Sequence, residues 1–387
     1  MNRTKHWLSL SAAVALLPAA VGAQQITGAW NAPLGLSPNI YSALAVGERI
    51  TNTLIITDSV GGVGTLGTRL TGPRYDAGTQ RYAGVVRIFM KDAAGTYGSC
   101  SGSLLWDRQT ILTAAHCVSK TDGTARATQV DVRFRGATNL STSDVVLANS
   151  ASTISIMPGY SGSVIENRDI AVIRLNQAPP TFAESYSLFG GNPLNSQANF
   201  SGWGSVGDGT TGDQYGFGGA GRRLQGQNQW NAYANNAAGL FSGGVNQGIL
   251  VYDFDNGSYN RNRLCSIFGL LQGSTNPLCE TGYGLDEVAL GRGDSGGPGF
   301  LFNPSSGKWE IAGVASWVTG GYATNTETGN CAFLSCFGAL GGHTSVGRTE
   351  ASDFINASVV PEPGTWALML AGLAGVAVAS RRRRNVA

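Results

Sequence analysis

Residues 293–298 read Gly-Asp-Ser-Gly-Gly-Pro and place one serine, Ser295, among residues small enough to let the backbone turn sharply. Such a turn can direct backbone N–H groups at a developing negative charge, which is usually the largest single catalytic term in acyl transfer. A serine hydroxyl is a weak nucleophile by itself and needs a neighbouring base. The sequence therefore predicts a nucleophile at Ser295 and requires a group to activate it.

Only three histidines are available as that base. His6 lies in a segment with the features of an export signal and can be set aside. His116 ends the run Leu-Thr-Ala-Ala-His, which is typical of a strand followed by small residues, and His343 lies in Gly-Gly-His-Thr-Ser. The choice of base is therefore between His116 and His343.

If His116 is the base, a carboxylate in an apolar setting should orient its ring. Asp169 opens the apolar run Ile-Ala-Val-Ile and fits this requirement, whereas Asp131 and Asp144 have more polar neighbours. The resulting order along the chain is His116, Asp169, Ser295, one of the three unrelated orders in which this triad recurs.

A second arrangement also satisfies the local pattern around the serine. Gly-Asp-Ser-Gly-Gly matches the loose G-x-S-x-G turn of α/β-hydrolases, in which Ser295 would be followed by Glu310 or Glu327 and then by His343. This alternative leaves His116 and Asp169 without a role. It also requires alternating strands and helices, which the sequence does not indicate.

Five motifs occur in the order found in the trypsin/chymotrypsin-like serine proteases, which the chain resembles over about residues 70–357. They are Thr-Ala-Ala-His-Cys at 113–117, Asp-Ile-Ala-Val at 169–172, Ser-Gly-Trp-Gly at 201–204, Gly-Asp-Ser-Gly-Gly-Pro at 293–298 and Ser-Trp at 316–317. Five motifs in order are far more specific than any one of them.

The resemblance assigns a role to each candidate residue. It implies that His116 is the general base, that Asp169 orients the imidazole and that Ser295 attacks the scissile carbonyl. The backbone N–H groups of Gly293 and Ser295 would form the oxyanion hole, and the Ser316 hydroxyl would support Asp169. The expected activity is that of a serine endopeptidase acting on proteins or peptides without a cofactor or metal.

The resemblance also implies the fold: an all-β protein with two packed six-stranded antiparallel β-barrels, at about 70–190 and 191–357, and a short C-terminal helix. A charged fraction of 13% and 56 glycines are typical of a turn-rich β protein outside the cell. Short apolar runs predict strands at 85–89, 130–134, 171–175, 248–254 and 310–317. Helical spacing of apolar residues predicts a helix at 348–359.

Substrate preference follows only from alignment to the family. Ala289 stands six residues before the nucleophile, where an acidic residue would select Arg or Lys. Val318 stands where a glycine often leaves the specificity pocket open, and Gly341 is assigned to the same pocket. We therefore expect small or medium apolar residues before the scissile bond.

Six cysteines permit fifteen pairings, among which the sequence alone cannot choose. The family resemblance implies a pair between Cys100 and Cys117 and a second pair in the loop before the specificity pocket. The implied pairs are Cys100–Cys117 and Cys265–Cys279, and the two cysteines left over would form Cys331–Cys336. Paired cysteines indicate an oxidising compartment.

The N-terminal segment has the features of a signal peptide over residues 1–23, with basic residues, a short apolar run and Val-Gly-Ala before the expected cleavage. Residues 24–69 contain no recognisable chemistry and are interpreted as a propeptide or N-terminal extension. The family resemblance implies that cleavage creates a new N-terminus, which pairs with the acid before the nucleophile. Leu70 and Asp294 are the candidates for these two groups.

The C-terminal segment, 358–387, resembles a PEP-CTERM sorting signal. It contains Val-Pro-Glu-Pro, a 16-residue stretch at 365–380 and four consecutive arginines. The stretch is short for a permanent membrane helix, which needs about 20 residues, although an ordinary anchor is the alternative. The resemblance implies transient association with the inner membrane, processing by an exosortase, and release from or attachment to the surface of a Gram-negative bacterium.

Charge excludes one class of partner. Without its two terminal signals the chain has 20 basic and 23 acidic residues, a net charge of −3, so nucleic-acid binding has no electrostatic support. We expect a monomer. Asp-Phe-Asp-Asn-Gly at 253–257 faintly resembles a calcium loop, but without the full ligand spacing it is better interpreted as a turn. The alternative to a protease is a surface or matrix protein that uses an inactive or weakly active protease fold as a binding scaffold.

Overall fold

A computed structural model describes most of the region between residues 82 and 359. The described residues are 53–55, 82–135, 144–209, 212–214, 223–233, 248–257, 259, 262–271, 273–283, 287–319, 334–359 and 371–374. Within these residues the protein is mostly β, with two curled antiparallel sheets and few short helices. No helix in this part of the chain is long and apolar enough to cross a membrane.

The first sheet contains seven strands, numbered here along the chain. From edge to edge they are β6 (Asp144–Ser150), β5 (Gln129–Arg135), β2 (Val85–Asp92), β3 (Gly95–Leu104), β4 (Thr110–Thr113), β8 (Ala171–Arg174) and β7 (Ile154–Ile156). Along β5, Val130, Val132 and Phe134 are buried on the face that covers the core, whereas Arg133 and Arg135 are only partly covered. Successive side chains of a strand point to opposite faces.

The second sheet also contains seven strands. They are β12 (Leu224–Gln229), β9 (Gln197–Gly202), β16 (Pro298–Asn303), β17 (Lys308–Val318), β18 (Leu340–Ser345), β14 (Ile249–Asp253) and β13 (Ala232–Tyr233). The expected chymotrypsin-like fold is confirmed. Each sheet has one strand more than the six expected because a short edge segment, β7 or β13, pairs with its neighbour.

Two small antiparallel pairs and several short helical segments lie outside these sheets, and the three α-helices between residues 82 and 359 are numbered here. The pairs are β10 (Val206–Asp208) with β11 (Gly212–Gln214), and β1 (Thr53–Ile55) with β15 (Ala289–Arg292). The helices are α1 (Ala115–Val118), α2 (Arg263–Ile267) and α3 (Thr349–Ser358). Helix α3 lies where the sequence predicts the C-terminal helix. The pairing of β1 shows that part of the predicted N-terminal extension contacts the strand leading to the nucleophile.

The two sheets share an apolar interface. Phe300 of β16 belongs to the same buried cluster as the core residues of the first sheet, and so do Ile311 and Val314 of β17. The ring of Tyr82 stacks on Phe300 with centroids 4.6 Å apart. Side chains of the second sheet thus pack against the first sheet, and this packing fixes the position of one sheet relative to the other.

Candidate active site

The histidine and its acid come from neighbouring strands of the first sheet. His116 lies in α1, directly after β4, and Asp169 lies two residues before β8. These antiparallel strands pair with Thr113, the last residue of β4, opposite Ala171, the first residue of β8. The residues that follow β4 and those that precede β8 therefore lie close together. His116 Nδ1 is 2.6 Å from Asp169 Oδ2, and the His116 N–H donates to Asp169 Oδ1 over 2.9 Å.

A β-bulge brings a third group to this pair. The pairing of β17 with β18 shifts register between Ala315 and Trp317, so Ser316 lies outside the regular ladder. Its hydroxyl contacts Asp169 Oδ2 and also lies 2.7 Å from the carbonyl oxygen of Val164. Bulges commonly redirect a side chain in this way. The carboxylate of Asp169 is fully buried, and these contacts hold it in one orientation.

The serine is presented by a turn that only glycine permits. Ser295 Oγ is 2.8 Å from His116 Nε2. Gly293 has φ +102° and Gly296 has φ +78°, conformations that residues with a side chain rarely adopt. A Cβ on Gly296 would also lie 2.1 Å from Thr113 Oγ1. The glycines flanking Ser295 thus allow the turn to approach β4.

Ser101 of β3 joins this turn to the first sheet, and the sequence gives no signal of it. The Ser101 N–H donates to the carbonyl of Ser295 over 2.7 Å, and the Ser101 hydroxyl donates to the carbonyl of Gly293 over 2.9 Å. The same hydroxyl accepts the N–H of Trp203 over 2.9 Å. Ser101 is fully buried, and its bonds hold the peptide groups that join Gly293 to Asp294 and Ser295 to Gly296.

Asp294, the predicted activation acid, is fully buried behind the nucleophile. Its carboxylate accepts the N–H of Gly204 over 2.9 Å and the N–H of Gly291 over 3.0 Å. Burial raises its pKa well above the usual value. No positively charged group in the described residues forms an ion pair with it. Leu70, the predicted new N-terminus, lies outside the described residues.

The predicted specificity residues lie together in the core of the second sheet. Ala289 and Val318 are buried in one apolar cluster, and Val318 pairs with Gly341 across β17 and β18. Tyr252, which sequence reasoning missed, belongs to the same cluster. Its hydroxyl lies 2.1 Å from where a Cβ on Gly341 would stand and accepts the N–H of Leu290. An aromatic ring therefore fills the space beside Gly341.

A cleft beside the triad has a volume of about 440 Å³. His116, Ser295 and Gly293 line it together with Tyr97 and the disulfide of β3 and α1. The predicted specificity residues do not line it. This cleft lies at the disulfide side of the serine, where a bound chain could continue past the reacting carbonyl.

His343 has a purely structural setting, which excludes the hydrolase arrangement. Its ring is fully buried in the second sheet, where its Nδ1 accepts the Trp230 indole N–H over 3.1 Å and its centroid lies 4.3 Å from that of Phe200. Burial lowers its pKa to about 3, so the ring is neutral. Glu310 binds Asn303 instead of a histidine, and Glu327 lies outside the described residues.

The other aspartates considered for the triad form ion pairs on β5 and β6. Asp131 lies 2.7 Å from the Lys91 ammonium, and Asp144 lies 2.9 Å from the Arg135 guanidinium. Neither carboxylate approaches His116 within hydrogen-bonding distance in the described part of the chain.

Two disulfides have the pairing that the family resemblance implies. Cys100 bonds to Cys117, which ties β3 to the helix of His116, and Cys265 bonds to Cys279. Cys336 is also disulfide-bonded. Its predicted partner, Cys331, lies outside the described residues, so that pairing stays a prediction.

Among the residues that the structure describes, two groups of side chains have ligand atoms close enough to hold a metal ion. One contains His116 with two cysteines, whose sulfurs are consumed by their disulfide and cannot act as thiolate ligands. The other contains Asp253, Asp255 and Glu280, at the end of β14 and outside the triad.

We predict that Ser101→Ala lowers the free energy of unfolding by about 1–3 kcal/mol, because the buried Trp203 N–H loses its acceptor. It should also slow labelling of Ser295 by a fluorophosphonate, since the Gly293 peptide loses an anchor. The measurements are denaturant unfolding and labelling kinetics. Ser103→Ala is the control, because Ser103 is equally buried on β3 but forms no side-chain bond to the turn among the described residues. Equal behaviour of the two variants would contradict the role of Ser101.

The comparisons with known proteins give two matches. Residues 72–247 match the trypsin family, and residues 359–384 match the PEP-CTERM protein-sorting motif. The first match includes His116 and Asp169 and ends before Ser295, so the serine is linked to them by its contact with His116. No curated protein matches the chain. The protein thus contains a trypsin-family domain, which suggests a serine peptidase, followed by a PEP-CTERM motif that implies exosortase-mediated sorting to the cell surface.

Proposed function

We propose that this protein is a secreted serine endopeptidase that hydrolyses peptide bonds through His116, Asp169 and Ser295. The observation that carries the proposal is the continuous chain of contacts from Asp169 Oδ2 to His116 Nδ1, over 2.6 Å, and from His116 Nε2 to Ser295 Oγ, over 2.8 Å. The trypsin-family match supports it.

In the first half of the reaction, Ser295 Oγ attacks the scissile carbonyl carbon while its proton passes to His116 Nε2. Asp169 accepts a hydrogen bond from the Nδ1–H of His116 and stabilises the imidazolium that forms. His116 then donates the captured proton to the leaving amine, and the acyl group stays bound to Ser295. In the second half, water gives a proton to His116 Nε2 while its oxygen attacks the acyl carbon. The bond between this carbon and Ser295 Oγ then breaks, His116 returns the proton to Oγ, and the acid is released.

The negative charge that develops on the carbonyl oxygen needs donors already in position. The N–H groups of Gly293 and Ser295 are the proposed pair. Support comes from the contacts of Ser101 with the carbonyls of both residues, which fix the peptide groups that follow Gly293 and Ser295 and so restrict the turn that carries the two donors.

A fluorophosphonate probe should label the purified protein, and Ser295→Ala and His116→Ala should each abolish labelling. Either substitution should lower kcat by roughly 10⁴–10⁶-fold, because the members of a triad act as a unit. His343→Ala is the control, since this ring is buried in the second sheet and should leave labelling per folded molecule unchanged.

The same experiment distinguishes the enzyme from a binding scaffold. A folded protein that is not labelled at all would contradict the proposed activity and favour a surface or matrix protein that keeps the residues without using them. Labelling lost in His343→Ala and kept in His116→Ala would instead contradict the assignment of the base.

We propose that the enzyme prefers small or medium apolar residues before the scissile bond. Ala289 supplies no negative charge for an Arg or Lys side chain, and Val318 is β-branched. The ring of Tyr252 supports the same preference, because it takes up space beside Gly341, the residue that pairs with Val318.

A panel of peptides that differ only before the scissile bond should show the highest kcat/KM for Ala, Val or Leu. Arg should be poorer by about 100-fold or more, since a buried charge without a partner costs about 3 kcal/mol. Val318→Gly should raise kcat/KM for larger apolar residues relative to Ala. Preferred cleavage after Arg in the unmodified enzyme would contradict the proposed preference.

We propose the following processing. Residues 1–23 are removed on export, residues 24–69 are an extension, residues 70–357 form the protease domain, and residues 358–387 are removed by an exosortase after transient association with the inner membrane. The protein would then be released from or attached to the surface of a Gram-negative bacterium as a monomer.

Cleavage after Arg69 would free the amino group of Leu70 to pair with Asp294. The buried position of Asp294 and its raised pKa support the need for a positive partner, because an ion pair would offset the cost of burying this charge. N-terminal sequencing of active enzyme should then give a start at Leu70. A start upstream of Thr53, which would leave β1 covalently attached, would contradict cleavage at this position.

A further inference from the structure

The acidic motif at 253–257 continues strand β14 beyond its last residue. Asp253 and Asp255 point to the same side because side chains alternate along an extended chain. Phe254, between them, points to the opposite side, where it packs in the core of the second sheet at 4.9 Å from the Phe337 ring. The packing of Phe254 thus directs both aspartates to one place.

Glu280 completes this place from a distant part of the chain. Glu280 directly follows Cys279, whose position is fixed by the disulfide with Cys265. Ligand oxygens of Asp253, Asp255 and Glu280 all lie within 4.8 Å of one another. A cation at about 2.3–2.6 Å from each oxygen, the usual range for calcium, fits between oxygens at such separations.

One of these oxygens is buried without a partner. Asp255 is fully buried, and its Oδ1 has no hydrogen-bond donor among the described residues. Its Oδ2 receives only a long contact of 3.4 Å from Asn262 Nδ2. Leaving a buried polar atom unpaired costs about 1–3 kcal/mol, and more when the group is charged. Asp255 therefore has a coordination position that no described residue fills.

The neighbouring carboxylates are held in place by backbone groups. Asp253 Oδ2 accepts the N–H of Leu264 over 2.8 Å. Glu287, also fully buried, accepts the N–H of Asp255 over 2.8 Å and the N–H of Tyr283 over 2.5 Å. These bonds preorganise the oxygens but do not neutralise their charge.

The cluster has no positive partner in the part of the chain that the structure describes. Among the described residues, no lysine or arginine forms an ion pair with Asp253, Asp255, Glu280 or Glu287. Burial raises the pKa of each of these four carboxyls, and repulsion from the neighbouring acids adds to the rise for Asp253, Asp255 and Glu287. Three buried acids and a half-buried one therefore need either bound protons or a cation.

We propose that Asp253, Asp255 and Glu280 form a calcium site, with Glu287 positioning the backbone of Asp255. The donors are all oxygens, which calcium and magnesium prefer, whereas structural zinc sites use cysteine and histidine. Calcium tolerates the irregular arrangement of this cluster better than magnesium, which demands a near-octahedral shell. The site lies in the second sheet and does not depend on the proposed catalytic activity.

Calcium would join three segments that are separate in the sequence. These are the end of β14, the disulfide-bonded loop after α2 and, through Glu287, the segment that leads into β15. Since β15 ends one residue before Gly293, the site would stabilise the support of the nucleophile turn without contacting the reacting atoms.

The test uses the full chain in a Ser295→Ala background, so that self-digestion cannot contribute to the result. We expect about 5 mM calcium to raise Tm by about 3 °C or more relative to a chelator. Terbium, an oxygen-seeking calcium mimic, should show luminescence sensitised by nearby aromatic rings and displaced by calcium. An unchanged Tm together with no displaceable terbium signal would overturn the proposal.

Variants distinguish this cluster from other acidic groups. Asp255→Asn and Glu280→Gln should each lose the calcium-dependent rise in Tm and the terbium signal. Asp255→Asn should melt in chelator at or above the temperature of the parent, because it removes one of four repelling charges. Glu310→Gln is the control, since Glu310 is a mostly buried acid of the same sheet and should keep the full calcium response. A calcium response kept by both cluster variants would also overturn the proposal.

Discussion

The contact of Ser101 with the turn at residues 293–297 is the constraint on which the candidate site depends. His116 and Asp169 are held by the first sheet, whereas Ser295 is held by the second, so hydrogen bonds within either sheet cannot set the distance between them. Ser101 spans this gap with bonds to the carbonyls of Gly293 and Ser295. The apolar packing around Phe300 brings the sheets together, and these directional bonds then fix the position of the turn.

This docking explains why so many small residues surround the serine. Gly296 would place a Cβ 2.4 Å from the Ser101 carbonyl oxygen, and a Cβ on Gly297 would lie 2.6 Å from the Ser201 carbonyl oxygen. Gly296 is therefore needed for the close approach of the two sheets, and Gly297 for the close approach of the turn to β9 within the second sheet. Behind them, Asp294 binds the N–H groups of Gly204 and Gly291, which holds the turn from the opposite side.

The motifs predicted the fold and the triad residues because each of these residues lies in a short stretch of sequence that can be recognised by itself. His116 follows a strand, Asp169 precedes one, and Ser295 lies in a glycine-rich turn. Ser101 and Tyr252 could not be predicted, since a serine or a tyrosine in a strand has no distinctive spacing. Their roles depend on partners many residues away, which only the packed sheets bring into contact. Glu280 was missed for the same reason, because the sequence suggested calcium ligands only within 253–257.

The acidic cluster and the triad illustrate two ways of keeping a carboxylate buried. Asp169 accepts bonds from the backbone and ring of His116 and from Ser316, so its charge is compensated by neighbours that the mechanism also uses. Asp255 has an unpaired oxygen and other acids around it, so it gains nothing comparable from the protein. Burying such a group is unfavourable unless a bound ligand offsets the free energy lost when the carboxylate leaves water. The cluster persists at the end of β14 because Phe254 is needed in the core, and a cation is the partner that reconciles this packing with the charge beside it.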